Sequence, residues 1–153
     1  MAKHMAARRA RISLDKRLRQ LGPAEQYRVP PSGWVRAIRD ALGMSAADLG
    51  RRMGISGPAI SALERSERSE TVRLDTLRRA AEAMDCTLVY AFIPQKGLAE
   101  TVQDQARQTA RQQLQHVATT MALEDQRVSL DVDLINEQAD LLIETGRLWG
   151  KQS

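Results

Sequence analysis

The sequence predicts a mainly α-helical protein with one short β-strand, at about 87–93, and two amphipathic helices towards its C-terminal side. Apolar residues recur every three to four positions along most of the chain, which is the period of a helix with one buried face. The stretch at about 87–93 is instead rich in residues that favour a β-strand. Hydrophobic residues make up 42% of the 153 residues, and no apolar run reaches the length of a membrane span. We therefore expect a cytoplasmic protein without a membrane partner.

The first predicted element is a basic helix at 8–21. Leu14, Leu18 and Leu21 lie at i, i+4 and i+7, so they form one apolar stripe among lysines and arginines. A DNA-contacting arm, a membrane-surface helix and a targeting peptide are all compatible with this pattern. We expect a helix packed on the body with its basic residues outward, because Asp15 and the lack of a cleavage pattern disfavour targeting.

Four short helices are predicted between the breaks at residues 22–33 and the strand. Their apolar spacing places them at 34–42, at about 45–53, after Ser56, and around 74–84. Ser45 and Asp48 have the form of a capping box, and Ser56 is placed to cap the next helix. Gly54 separates the second and third helices.

The predicted strand is the stretch from Cys86 to Ile93, which is rich in strand formers and ends at Pro94. A single strand leaves its backbone groups unpaired, so it needs a partner. Antiparallel pairing with the same strand of a second copy is compatible with a two-fold axis and predicts a homodimer. Pairing with an irregular stretch of its own chain is the alternative. The predicted dimerisation residues are Leu88, Val89, Tyr90, Ala91 and Phe92.

Two longer amphipathic helices follow. The first has apolar residues every three to four positions from Leu98 to Met121. The second begins near Ser129 or Asp131 and carries apolar doublets seven residues apart. The two helices are compatible with a hairpin that packs on the front module, on a second copy or on another protein.

The composition excludes several classes of function. One cysteine and two histidines are too few for a disulfide framework or a zinc site. Aromatic residues, at only 3%, are too few for a sugar-binding or base-stacking surface. The sequence contains no Ser-His-Asp set and no glycine-rich phosphate loop. We expect no metal, no cofactor, no catalytic residue and no enzymatic activity.

The charge divides the chain into a basic front and an acidic back. Residues 1–80 hold 17 basic and 8 acidic side chains, whereas residues 81–153 hold 6 and 11. Fifteen of the 17 cations are arginine, whose planar guanidinium suits phosphate contact. This pattern indicates a polyanionic partner for the front half, although solvated helix faces are also rich in arginine.

The stretch 34–66 has the arrangement of a helix-turn-helix. Ala47 is small enough to let a second helix cross closely, and Gly54 supplies the positive φ that the sharp turn requires. Ile55, Ile60 and Leu63 then hold the second helix against the first, so its other face is free to enter a DNA major groove. A plain helical hairpin is the alternative reading.

Residues 34–84 resemble the Cro/lambda-repressor type of helix-turn-helix. A closer resemblance, over about residues 8–149, is to the family called mobile mystery protein A. It is carried by Gly33–Met44, Leu63–Glu67, Thr76–Met84, Leu88–Pro94 and Met121–Gln126. Members of that family are typically encoded on mobile bacterial elements beside a Fic-domain protein. The resemblance therefore implies a DNA-binding transcriptional regulator, with an antitoxin role as a further implication.

The resemblance also implies which residues contact DNA. Ser45 is expected to hold a phosphate at the start of the first motif helix, and the second helix is expected to read bases. Gln, common in repressors at the positions of Ala46 and Gly57, is missing, so base reading falls to Ser61 and Arg65, methyl contacts and an arginine of the N-terminal segment. The predicted DNA-binding residues are Ser45, Arg51, Arg52, Ser56, Gly57, Pro58, Ala59, Ser61, Arg65 and Arg68.

These observations predict four segments and two functions. The segments are a basic helix and linker at 1–31, the helix-turn-helix domain at 32–85, the dimerising strand at 86–94 and the helical extension at 95–153. The first function is an autoregulating repressor that binds a palindromic operator in double-stranded DNA as a homodimer. The alternative is an antitoxin-like protein whose C-terminal helices bind and silence a Fic-domain partner.

Overall fold

The computed structural model describes residues 2–123 and 130–150. They form two units, a central one of Pro23–Phe92 and a terminal one of Met1–Gly22 with Ile93–Ser153. Their helices are α1 (Ala2–Arg19), α2 (Trp34–Ala41), α3 (Ala46–Met53), α4 (Gly57–Arg68), α5 (Leu74–Ala83), α6 (Leu98–Leu123) and α7 (Val132–Thr145), with a short 3₁₀ helix at Ala24–Tyr27. The described residues are thus mainly helical, as predicted.

The terminal unit is built from α1, α6 and α7, which pack on one another. Its core comprises Ala106, Ala110, Ile135, Ala139, Leu142 and Leu148. One member of each predicted doublet is buried there, while its neighbour faces solvent. Small residues at Ala106, Ala110 and Ala139 let α6 and α7 approach closely, so the two helices pack on each other, as the sequence allowed.

The packed side of α1 differs from the predicted leucine stripe. Asp15 is buried and Leu18 is partly buried, but Leu14 is exposed. The position preceding α6 is Gly97, which has no side chain to cap that helix. Asp15 caps it instead, since its carboxylate accepts hydrogen bonds from the amides of Leu98 and Ala99 at 2.7 and 3.0 Å.

The central unit packs α2 to α5 around one small core. That core comprises Val35, Leu49, Ile60, Leu63, Ala80 and Met84. Helix α2 forms where predicted. Of the apolar residues that mark it in the sequence, Ile38 packs against the core, whereas Trp34 and Leu42 are exposed. Val35 is the buried residue of this helix.

The caps of the helix-turn-helix form as predicted. Ser45 and Asp48 make a capping box at the start of α3, and the Ser56 side chain accepts from the Ala59 amide at the start of α4. Gly54 ends α3 with a φ of +72°, the left-handed conformation that glycine adopts most readily. These local signals fix the turn between the two helices.

The predicted strand at 87–93 is wrong, since the structure places no strand anywhere in residues 2–123 and 130–150. Val89, Tyr90 and Phe92 have strong strand propensity, yet propensity forms a strand only where a neighbouring backbone pairs with it. The described part of one copy consists of helices and turns, which offer no free strand edge. The segment therefore lies as irregular chain.

Two predicted features fall partly outside the described residues. Of the Met121–Gln126 segment, the structure describes the backbone of residues 121–123 as the end of α6. Residues 124–126 and the alternative helix start at Ser129 lie outside the description. The second start, Asp131, is the N-cap position of α7.

Candidate nucleic-acid interface

The outward face of α4 carries half of the six DNA-binding residues that were predicted on this helix. Pro58, Arg65 and Arg68 are exposed, whereas Gly57, Ala59 and Ser61 are partly covered. Ala62 is also exposed and lies one turn after Pro58, so it belongs to the same face, although the sequence analysis did not select it. Helical periodicity counted from Pro58 is the signal that identifies it.

The start of α4 lies close against α3. A Cβ added at Gly57 would be 3.5 Å from the Cα of Ala47, so Ala47 lies where the two helices approach each other, as predicted. Gly50 is a further requirement that the sequence analysis missed. A Cβ there would be 2.5 Å from the carbonyl oxygen of Ile55, so any side chain at this position would push the turn apart.

Ser45 is exposed, but its hydroxyl already has a partner. It donates to the Asp48 carboxylate at 2.6 Å, and the Ser45 amide donates to the same oxygen at 2.8 Å. These bonds, together with nearby Arg51, hold the pKa of Asp48 below its usual value. A phosphate at this helix start would therefore meet a negative charge, whereas Ser56 brings no acidic group to the start of α4.

Arg51 and Arg52 are exposed but engaged within the unit. Arg51 forms an ion pair with Asp48. Arg52 donates to the carbonyl of Ala83 at the end of α5 and lies 3.8 Å from the Asp85 carboxylate. By contrast, Arg65 and Arg68 form no ion pair with any side chain that the structure describes. The unpaired cations of the motif are therefore on α4.

A buried ion pair holds the inner side of α4 to α2. Glu64 is only 4% exposed, and its carboxylate accepts from the Nε and Nη2 of Arg39 at 2.7 and 3.3 Å. Arg39 also donates to the carbonyl of Met44 at 2.9 Å. The hydrogen bond and charge of Glu64 raise the pKa of Arg39, which stays protonated.

Glu67 provides a second link between α4 and α2. Its carboxylate accepts from the Trp34 amide at 2.6 Å and the Val35 amide at 3.0 Å, so it caps the start of α2. The local cap position is Gly33, where an added Cβ would be 2.8 Å from this carboxylate. Glu64 and Glu67 thus fix how α4 is oriented on the domain. Two acids on the apolar side of a helix were the signal that the sequence analysis passed over.

The predicted dimerisation residues form an exposed apolar segment next to a groove. Val89, Tyr90 and Phe92 are 78%, 65% and 90% exposed, while Leu88 is partly buried. Leu88 and Val89 border a groove of about 390 Å³. Its other apolar lining includes Trp34, Val35, Ile38, Leu77 and Met84.

The described residues contain neither a metal-binding cluster nor a membrane-spanning helix. No group of three or more His, Cys, Asp or Glu side chains is arranged to hold a metal ion in the part of the chain that the structure describes. None of the helices described there is long and apolar enough to cross a membrane.

Comparisons with known proteins identify the domain. Residues 35–90 match the family model described as Helix-turn-helix, of the Cro/C1 type. No curated protein and no solved structure matched the chain. The match covers α2 to α5 and the segment after them, and therefore includes the helix-turn-helix formed by α3 and α4. At a general level it supports a DNA-binding regulator.

Proposed function

We propose that the protein is a sequence-specific DNA-binding repressor that reads DNA with α4. The observation that carries the proposal is the contrast between the two sides of this helix. Its inner side is fixed by Glu64 and Glu67, whereas its outer side presents the unpaired cations Arg65 and Arg68. A rigidly held helix with a free cationic face suits entry into a major groove.

The proposed DNA contacts of α4 are of two kinds, those with base edges and those with phosphates. Arg65 lies in the middle of the outer face and is placed to donate to a guanine edge, with Ser61 beside it. Pro58 and Ala62 supply apolar surface for a thymine methyl group. Arg68, near the end of the helix, and the amides at its start after Ser56 are assigned to phosphates. Because few polar groups reach bases, DNA shape contributes to recognition.

The proposed repressor is a homodimer that uses the apolar segment 88–92. Support comes from the exposure of Val89, Tyr90 and Phe92, since an apolar patch of this kind marks an interaction surface. The interface consists of side-chain packing beside the groove, without the β-pairing that the sequence suggested. Two copies related by a two-fold axis require a palindromic operator with half-sites about 34 Å apart or a multiple of it.

Autoregulation follows from the resemblance to mobile mystery protein A. A dimer bound over its own promoter blocks polymerase sterically, and the operon belongs to a mobile element. The proposed role includes no catalytic step.

Fluorescence anisotropy tests the repressor proposal. A duplex from immediately upstream of the reading frame is compared with a shuffled duplex of the same length. We expect the native duplex to bind roughly 10³-fold or more tightly and to keep its lead at higher salt. Equal affinities that collapse together as salt rises would reject sequence-specific binding.

An antitoxin-like role is the second candidate, and α7 provides the observation that favours it. Asp133, Glu137, Asp140 and Glu144 lie at i, i+4, i+7 and i+11 and are all exposed, so they form one acidic stripe. Leu134 and Leu141 are exposed beside it. Such a mixed acidic and apolar face suits a basic protein partner, here a Fic-domain protein.

Co-purification with a co-expressed Fic-domain protein tests this second role. The change of Glu137 and Asp140 to Lys is expected to abolish the complex and to leave DNA binding unchanged. The change of Glu82 and Asp85 to Lys is the control, since both lie on the other unit and are exposed. A complex that survives the α7 change would reject this surface.

A further inference from the structure

The charge of helix α1 faces outward almost without compensation. Its 18 residues contain seven lysines or arginines and one acid, Asp15. Asp15 is 7% exposed and its carboxylate is bonded to the start of α6, so this one acid compensates only a small part of the positive charge. The basic residues are Lys3, Arg8, Arg9, Arg11, Lys16, Arg17 and Arg19.

None of these cations forms an ion pair with a residue that the structure describes. In the central unit, by contrast, five of the ten arginines are paired with an acid. Like charges three or four residues apart destabilise a helix, and α1 has such pairs at Arg8 with Arg11 and Lys16 with Arg19. An external polyanion would relieve this repulsion.

The central unit cannot supply strong long-range attraction to DNA. It contains ten arginines and nine acidic residues, so its net charge is only +1, whereas residues 1–22 carry +6. Sequence-independent affinity for DNA depends on the number of phosphates that a protein neutralises. The reading helix therefore lies on the nearly neutral unit, and most of the excess positive charge lies on α1.

We propose that the outward face of α1 binds the phosphate backbone of duplex DNA and supplies the sequence-independent part of the affinity. The inference rests on the proposed DNA-binding function and adds a second contact surface to it. The middle of this face holds Arg9, Ser13 and Lys16 at i, i+4 and i+7, all exposed.

Duplex DNA fits this face better than a lipid surface. A helix that lies on a membrane buries an apolar face in the lipid and keeps its charges on the other side. In α1 the packed side carries Asp15, which is bonded to the start of α6, and the partly buried Leu18, so this side is not free to enter a lipid surface. The free side carries six exposed cations against three exposed large apolar residues, Met5, Ile12 and Leu14, so charge predominates on it.

The test measures binding to a mixed-sequence duplex that is unrelated to the gene. The double variant R9Q/K16Q removes two charges, and glutamine keeps a helix propensity close to that of lysine and arginine. The matched control is R111Q/R147Q, which removes two exposed cations of the same unit that are also unpaired among the described residues. Affinity is measured between about 50 and 200 mM salt.

We expect R9Q/K16Q to reduce the slope of log K against log salt by about 1.8 per protomer, or ~0.9 for each lost phosphate contact, and the control to leave it unchanged. Equal slopes for R9Q/K16Q and wild type would overturn the inference. It would also be overturned if the change abolished binding to phosphatidylserine vesicles but left the DNA slope intact. Because the probe has no operator, this result does not depend on sequence-specific recognition.

Discussion

At the scale of single residues, three buried or partly buried carboxylates hold elements that are distant in sequence. Asp15 caps a helix 83 residues away, Glu67 caps one 33 residues earlier and Glu64 binds an arginine 25 residues earlier. Sequence patterns reveal local caps such as Ser45 and Ser56, because both partners lie within one turn. They do not reveal these three contacts, because tertiary packing chooses each partner.

Removing the cap on α2 is expected to destabilise the central unit. The change E67A leaves two amides at the start of α2 without their acceptor, which costs about 0.5–2 kcal/mol of unfolding free energy. Urea denaturation measures the difference. The control is E82A on α5, an exposed glutamate without an ion pair to any described residue. Equal stability of the two variants would show that Glu67 contributes nothing as a cap.

Removing one partner of the buried Arg39–Glu64 ion pair is expected to lower the unfolding free energy more than replacing both partners with apolar residues. The change R39M leaves Glu64 buried without its partner and lowers the unfolding free energy by about 3 kcal/mol. The double change R39M/E64L removes the stranded charge and recovers most of that loss. Urea denaturation of both variants checks this, and a double variant no more stable than the single one would contradict it.

The stability of the terminal unit is expected to depend on acid pH through Asp15. The amides of Ala99 and Leu98 lower the pKa of Asp15, so its stabilising effect is complete above the unfolded-state value of about 3.9 and is lost as pH falls through the folded pKa. The change D15N should lower the melting temperature at neutral pH. The melting temperature of the variant should also decrease less than that of the wild-type protein as the pH becomes acidic.

Thermal melts across this pH range provide the measurement. The control is D75N, since Arg73 lowers the pKa of Asp75 on an exposed surface, where such pairs contribute little. A D15N protein that melts like wild type at neutral pH would exclude the cap.

At the scale of elements, local sequence predicts helices well and the strand badly. Helices α3 and α4 begin and end close to their predicted positions because Ser45, Gly54 and Ser56 act within one turn. The segment 87–93 has strand propensity but no partner backbone in one copy, so the prediction failed. Of the residues predicted on the outward face of α4, Pro58, Arg65 and Arg68 are exposed and the other three are partly covered, while exposed Ala62 was missed.

The two arginines of α4 are expected to behave differently. The change R65A should cost about 1–3 kcal/mol of binding to the native duplex and relax specificity at one base pair. The change R68A should weaken native and shuffled duplexes alike, because phosphate contacts carry no sequence information. Anisotropy titrations distinguish the two, with the exposed Arg78→Ala on α5 as control. An R65A variant that retains full specificity would remove Arg65 from base reading.

At the scale of the whole molecule, the proposed reading helix and the excess positive charge lie on different units. Helix α4 belongs to the central unit, whereas the net positive charge is concentrated in residues 1–22 of the terminal unit. The charge count over residues 1–80 identified a basic front half. It did not separate the N-terminal helix, which carries most of the excess charge, from the helix-turn-helix domain, which is nearly neutral. The grouping of α1 with α6 and α7 depends on Asp15 and on alanine packing, which periodicity does not reveal.

The oligomeric state is expected to depend on the exposed apolar segment. The change of Phe92 to Ser removes the most exposed of these side chains and should raise the dimer dissociation constant at least about tenfold, since central aromatic residues dominate interfaces. Exposed substitutions of this kind alter folding by only about 0.5 kcal/mol. Analytical ultracentrifugation measures the effect, and the change of the exposed Leu42 to Ser is the control. A monomeric wild-type protein would contradict the proposed dimer.

Selection from a pool of random duplexes tests sequence-specific reading by α4 most directly. Wild-type protein is expected to enrich a two-fold symmetric motif with half-sites about 34 Å apart or a multiple of it. The R65A variant is expected to lose the enrichment at one position of each half-site. Recovery of no motif by wild-type protein, although it retains duplexes at low salt, would mean that the helix-turn-helix does not read sequence on its own.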